Sequence, residues 1–216
     1  MLFYSGATRA IGNVDDGTTH TDFLEEERQR GITIKAAATS FPWQGHIMSL
    51  IDTPGHVDFS MEVVRSVRVL DGAVAVLDGV KGVEAQTVAT WKHLQRHGVP
   101  VIAFVNKMDR EGASISRSRT MVNEELQAKT LALQVPLVSG KDFNEIMDLV
   151  EMEVISWDAS GSEVAHKPLT KESVGEALFT SALVARQELL EDLYMVDDSF
   201  AEVSLALWAI ILCRGK

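Results

Sequence analysis

The sequence predicts an α/β fold with a mainly parallel sheet. Three observations predict it. Residues 72–78, Gly-Ala-Val-Ala-Val-Leu-Asp, form a short unbroken apolar run, the pattern of a strand buried on both faces. Residues 101–105 form a second run of the same kind. The stretch between them, 82–97, reads as a helix, and strand–helix–strand alternation is how parallel strands are joined.

The other elements follow in chain order. Residues 12–30 are polar, with Asp15-Asp16-Gly17 and Glu25-Glu26-Glu27, and read as a loop with a short helix in its second half. Residues 32–41 read as extended, Trp43-Gln44-Gly45 as a turn and 46–51 as a second strand, so the pair forms a hairpin. Residues 57–70 are helical, with Glu62, Arg65 and Arg68 as polar members. Residues 143–167 read as a mixed, antiparallel segment. Residues 178–207 are helical, and Glu188, Glu191, Asp192, Asp197 and Asp198 mark a solvated face. The expected organisation is an α/β domain over 1–142, an insert with following helices over 143–206, and a divergent tail over 207–216.

Composition narrows the function classes. Hydrophobic residues make up 46% of 216, enough for a sizeable core. A formal net charge of −11 argues against a surface that grips nucleic acid non-specifically, and no sequence-specific nucleic-acid contact is expected. The single cysteine, Cys213, rules out an internal disulfide and a cysteine-built zinc site. Residues 1–10 show neither a secretory pattern nor the repeated arginines of an import presequence. The longest apolar run, 205–213, falls well short of the roughly 20 residues a membrane span needs, so no membrane association is expected.

Asp52-Thr53-Pro54-Gly55-His56 follows directly on a predicted strand. An acid there sits at the carboxyl edge of the sheet, where α/β proteins bind ligands, and can hold magnesium through a water. Gly55 lets a backbone N–H approach a phosphate, and His56 could polarise an attacking water. A plain strand-ending turn uses Asp, Pro and Gly as well. Asn106-Lys107-Met108-Asp109 follows the second apolar run. A carboxylate accepts the N1 and N2 hydrogens of guanine, which adenine does not offer; an Asn amide can bond the other edge, and a lysine stem can cover the flat face. Each motif alone is a weak signal. Two of them, each after a strand and opening on one sheet edge, make coincidence the poorer explanation. Thr33 adds a hydroxyl that can reach magnesium and a terminal phosphate, although a β-branched residue also opens a strand well.

These residues, with Tyr4-Ser5-Gly6, Glu27-Arg28-Gln29-Arg30-Gly31-Ile32-Thr33-Ile34, Val57-Asp58-Phe59 and Gly82-Val83-Glu84-Ala85-Gln86-Thr87 in the same order, closely resemble the GTPase domain of the elongation factor G family of translational GTPases. The match is dense over 4–114 and thins after 157. Asp15-Asp16-Gly17 and Thr21-Asp22-Phe23 resemble the mitochondrial ribosome-releasing branch more than the translocating one. The resemblance implies a P-loop GTPase-type sheet with helices on both faces, with GTP and Mg2+ as ligands. It implies Thr33 and Asp52 on the magnesium side, and Asp52, Thr53, Pro54, Gly55 and His56 at the phosphate, with His56 catalytic. Asn106, Lys107, Met108 and Asp109 would read guanine. Implied partners are the mitochondrial ribosome and a ribosome recycling factor, and the implied location is the mitochondrion.

The phosphate-binding loop G-x-x-x-x-G-K-[ST] does not occur in these residues: Gly140-Lys141 is followed by Asp142. The resemblance places Met1 beyond that loop and its strand. Ser181-Ala182 has the letters of the fifth guanine motif but lies in a helical stretch. His93 and His97 share a helix face without a third ligand, as ordinary surface residues do. A sheet without its central strand leaves unpaired backbone groups at about 1–3 kcal/mol each, against a domain stability of about 5–15 kcal/mol. The expectation is a weakly stable or aggregation-prone chain. Three functions remain open: a GTPase acting in ribosome release, a translocating elongation factor, and a non-catalytic fragment or interaction protein with little GTP binding.

Overall fold

The computed structural model describes residues 1–9, 24–30, 33–138, 140–158, 164–197 and 199–200. The predicted features at 15–17, 21–23, Asp198, the end of the 178–207 helix beyond 200, 205–213 and 207–216 lie outside the described residues. The chain divides into two compact units, Met1–Val76 with Glu84–Phe104, and Leu77–Val83 with Val105–Lys216.

The first unit carries the hairpin. Helix α1 spans Glu25–Arg30, with three acidic residues in its first turn, where they complement the helix dipole. Strands β1 (Ala37–Trp43) and β2 (His46–Asp52) pair antiparallel in the register Ala37↔Asp52 to Trp43↔His46. Gln44 and Gly45 both have positive φ, 45° and 80°, which gives the two-residue turn the twist a hairpin needs. The hairpin therefore forms where the sequence puts it. The predicted helix over 57–70 opens as a single 3-10 turn, Val57–Phe59, and continues as α2, Ser60–Val67.

Strand β3 (Ala73–Asp78), helix α3 (Ala85–Arg96) and strand β4 (Val101–Asn106) form the predicted strand–helix–strand unit. β3 and β4 pair with each other. Ala73 N–H donates to Pro100 O and Gly79 N–H to Asn106 O, so the offset is the same at both ends and the strands run parallel. Helix α3 starts with a reciprocal capping pair between Glu84 and Thr87. Val63 and Val67 from α2, Leu94 from α3 and Val99 form one buried cluster, with Leu70, Ala73 and Val101 packed against it.

Here one expectation is corrected. β3 and β4 are not buried on both faces: Val74, Val76, Ile102 and Phe104 are 53%, 62%, 65% and 57% exposed. Alternation along a strand puts positions 74 and 76 on one face of β3, and 102 and 104 on one face of β4. The α2–α3 cluster gathers Ala73 and Val101, from the alternate positions of the same strands. An unbroken apolar run shows that a strand suits burial on two sides; it cannot show that both sides are covered.

The second unit holds α4 (Ile115–Glu125) and a four-stranded antiparallel sheet, β5 (Gln134–Pro136), β6 (Glu145–Asp148), β7 (Glu153–Trp157) and β8 (Val164–Pro168), in that spatial order. This is the predicted antiparallel segment. Helices α5 (Lys171–Val174) and α6 (Glu176–Tyr194) follow. Met147, Leu149, Val154, Leu169, Ala182 and Leu189 form this unit's core. Ser181 and Ala182 lie inside α6, and Ala182 is core. Glu188 and Glu191 face solvent as expected, whereas Asp192 is half-buried and paired with Lys129 at 2.7 Å. Among the described residues no helix is long and apolar enough to cross a membrane.

Candidate functional site

The predicted site residues fall into two groups, one in each unit. Thr33, Asp52, Thr53, Pro54, Gly55 and His56 belong to the first. Asn106, Lys107, Met108 and Asp109 belong to the second.

In the first group, Asp52 is the last residue of β2 and pairs with Ala37, the first residue of β1. Thr33 lies four positions before Ala37, so the antiparallel hairpin brings Thr33 and Asp52 to the same end. Both are half-buried. A hydroxyl and a carboxylate are hard oxygen donors of the kind Mg2+ takes, so the residues present fit that ion. Among the described residues no three His, Cys, Asp or Glu side chains cluster as a metal cage. That is compatible with Mg2+, which keeps waters and draws other ligands from phosphate.

Pro54 is buried and anchors the loop, while Gly55 and His56 are exposed. A Cβ added at Gly55 would meet nothing within 4 Å. Packing inside the chain therefore does not require glycine there; a ligand approaching the backbone would. His56 Nδ1 lies 3.3 Å from Asp58 Oδ2 and 3.4 Å from the Asp58 backbone nitrogen. The carboxylate contact needs a proton on Nδ1 and the amide contact needs a lone pair, so the two are alternatives.

Glu27 enters the sequence reading only as part of a matching run. Its side chain is fully buried. Oε2 accepts the N–H of Leu24 at 2.8 Å, an N3 carboxylate reaching back over the start of α1. Oε1 accepts the N–H groups of Ile34 and Lys35 at 2.9 Å each. The planar peptide between Thr33 and Ile34 is thereby fixed to α1. A run of three glutamates beginning a helix is the only signal in the sequence, and it does not say which one turns inward.

In the second group, Met108 is 4% exposed and anchors its loop, while Asn106 and Asp109 present their side chains to solvent at the carboxyl end of β4. Gly79 follows β3 and touches this loop closely. Its N–H donates to Asn106 O at 2.8 Å, and a Cβ added there would come within 2.9 Å of that oxygen and 3.0 Å of the Met108 sulfur. Arg117 donates to the carbonyls of Gly79, Val80 and Gly112, and Ser114 N–H to Gly79 O. Lys107 Nζ lies 2.8 Å from Asp78 Oδ2. That hydrogen bond, with the amides of Val80 and Lys81, holds the Asp78 carboxyl well below the usual carboxylate range. Sequence reasoning misses Asp78, although it ends a strand as Asp52 does.

Comparison with known proteins adds a decisive observation: the family described as "Elongation factor Tu GTP binding domain" matches residues 1–192. The chain belongs to this GTP-binding domain family. Among relatives, "Ribosome-releasing factor 2, mitochondrial" of Bos taurus is 48% identical over 208 residues, covering 95% of this chain and 27% of that protein. The protein of the same name from Danio rerio is 44% identical over 209 residues, 95% of this chain and 27% of that one. "Elongation factor G" of Petrotoga mobilis is 43% identical over 203 residues, 94% of this chain and 29% of that protein. The chain thus spans about a quarter of the length of the curated relatives it matches. A crystal structure of a Thermus thermophilus protein superposes with a TM-score of 0.82 at 24% identity, over 95% of this chain and 30% of that one, which shows the shared fold. The α/β class with a parallel strand pair and the translational GTPase family, both read from the sequence, are therefore established.

Proposed function

We propose that this chain is the guanine-nucleotide module of a mitochondrial ribosome-releasing factor, coupling GTP hydrolysis to disassembly of mitochondrial ribosomes together with a recycling factor. The observation that carries the reading is the 106–109 loop. Its apolar member, Met108, is buried, and Asn106 and Asp109 are presented at the end of a parallel strand within a family of GTP-binding domains. Asp109 would accept the N1 and N2 hydrogens of guanine, Asn106 would bond the opposite edge and the Lys107 stem would lie along the ring. Thr33 and Asp52 would hold Mg2+, which neutralises charge on the phosphate oxygens. Gly55 would offer its N–H to the terminal phosphate. With Nδ1 of His56 engaged by Asp58, orienting the attacking water falls to Nε2. The names of the relatives support the ribosomal and mitochondrial parts of the reading.

A second reading has its own support. Within these 216 residues no G-x-x-x-x-G-K-[ST] loop supplies phosphate-binding amides, lysine and magnesium-binding hydroxyl. On that reading the chain keeps the base loop but binds GTP weakly and acts through its protein surface. Titration of a fluorescent GTP analogue with Mg2+ separates the two. Micromolar binding that unlabelled GTP competes and ATP does not is the expected result. No saturation at millimolar analogue would leave the interaction reading standing.

A further inference from the structure

We propose that Asp78 is a positioning residue for guanine recognition, acting through Lys107. The inference rests on the guanine-site reading above and assigns a role to a residue outside the motif.

The geometry divides the Asp78 carboxylate between two tasks. Oδ1 accepts the N–H groups of Val80 at 2.9 Å and Lys81 at 3.1 Å. Those bonds fix the plane of the carboxylate and point Oδ2 at Lys107 Nζ, 2.8 Å away and 29 residues along the chain. The Asp78 side chain is 12% exposed and that of Lys107 42%. The contact is therefore shielded on the acid side, where a surface pair would be screened. Asp78 itself is held by its backbone: Gly82 N–H donates to Asp78 O at 2.7 Å.

Lys107 needs such a tether. Its φ is +60°, a left-handed conformation that non-glycine residues rarely adopt and keep only when surroundings over-determine it. Asn106 Oδ1 accepts the Lys107 N–H at 2.8 Å, and Arg110 N–H donates to Lys107 O at 3.2 Å, so the backbone is pinned at both sides. Asp78 pins the remaining end, the ammonium. A lysine fixed at Cα and at Nζ has its four-carbon stem stretched between two points. That turns the most flexible member of the loop into a rigid apolar rail, the form in which it can cover a base without losing rotamer freedom on binding. The Gly79 contact makes the arrangement mutual, because the residue after Asp78 packs on Asn106 and Met108.

The test is a double-mutant cycle on the whole chain, read by binding of a fluorescent GDP analogue. Asp109→Ala serves as the control for the site reading and should abolish guanine selectivity. Asp78→Asn, which keeps an acceptor oxygen for the Val80 and Lys81 amides, is expected to weaken binding by about 10- to 100-fold, the loss of one charge-assisted hydrogen bond to Lys107. The same substitution in a Lys107→Met background, which keeps the stem but has no ammonium to tether, should add nothing. An equal loss in both backgrounds overturns the proposal and leaves Asp78 as a fold-stabilising residue. If the wild type binds no nucleotide, the site reading fails and the guanine role falls with it, and amide exchange on the ligand-free chain then decides the remaining part, that Asp78 holds the Lys107 loop. Asp78→Asn should then raise exchange at Lys107, Met108 and Asp109 while leaving Phe104 unchanged. Unchanged exchange at all of them overturns it.

Discussion

Glu27 Oε1 lies 2.9 Å from the backbone nitrogen of Ile34 and ties the residue after Thr33 to the first turn of α1. Position 33, in the segment before β1, is thus held through its neighbour by a carboxylate with no exposed surface. Replacing Glu27 with Ala strands three N–H donors, those of Leu24, Ile34 and Lys35. Each loses a charge-assisted bond and costs about 1–3 kcal/mol if water does not replace it. Glu27→Gln keeps one acceptor oxygen and should fall between. Amide exchange at Ile34 and Lys35 is the direct measure, expected to accelerate in the order wild type, Gln, Ala. Equal protection in all three proteins would show that the carboxylate does not hold this segment.

Asp109 offers a prediction about base identity rather than stability. Its side chain is exposed, and Met108 anchors the loop beside it, so substitution leaves the scaffold alone. Guanine presents two donors to a carboxylate; xanthine presents one donor and one acceptor. Asparagine presents one acceptor and one donor, the match for xanthine. Asp109→Asn should therefore lose guanine nucleotide affinity by about 100-fold and gain affinity for xanthine nucleotides. Competition titrations with both nucleotides measure the exchange. An unchanged preference for guanine would take Asp109 out of base reading.

What could be read from the sequence was local. The hairpin follows from Trp43-Gln44-Gly45 between two extended runs, and β3–α3–β4 from apolar runs flanking a helical pattern. The base loop and the Asp52 loop were legible because a strand-end position and a few residue types define them. Asp78 and Glu27 were not, because their importance lies in a partner. One reaches a lysine 29 residues away and the other a strand entry seven and eight residues away, and no periodicity encodes either contact. The open face of β3–β4 was missed for a related reason. An unbroken apolar run reports what a strand's two faces suit, not what lies on them.

The depressed Asp78 carboxyl predicts a specific pH dependence. Its folded value lies below its unfolded one, so the pair contributes fully above the unfolded carboxylate pKa of about 3.9. The contribution is lost as pH falls through the folded value, in strong acid. The urea midpoint of wild type should exceed that of Asp78→Asn by a constant amount from about pH 5 to about pH 8, with the gap narrowing only below about pH 4. A gap that opens or closes near neutrality would point to a histidine instead.

The exposed face of β3–β4 predicts self-association of the isolated chain. Val74, Val76, Ile102 and Phe104 are each more than half exposed and sit on adjoining strands. Burying an aliphatic or aromatic side chain of this size is worth about 1.5–3 kcal/mol. A contiguous apolar patch on paired strands is therefore sticky, and the repulsion from the formal charge of −11 is largely screened beyond about 8–10 Å at physiological salt. The double substitution Val76→Thr with Phe104→Thr removes apolar area without changing charge, and threonine keeps the β-branched preference for strands. Neither residue belongs to the α2–α3 core cluster, so that core should stay intact. Light scattering against concentration should show a lower association constant for the double variant than for wild type, at an unchanged circular dichroism spectrum. Identical association of the two proteins would move the sticky surface elsewhere, with the exposed hairpin residues Trp43, Ile47 and Met48 as the next place to substitute.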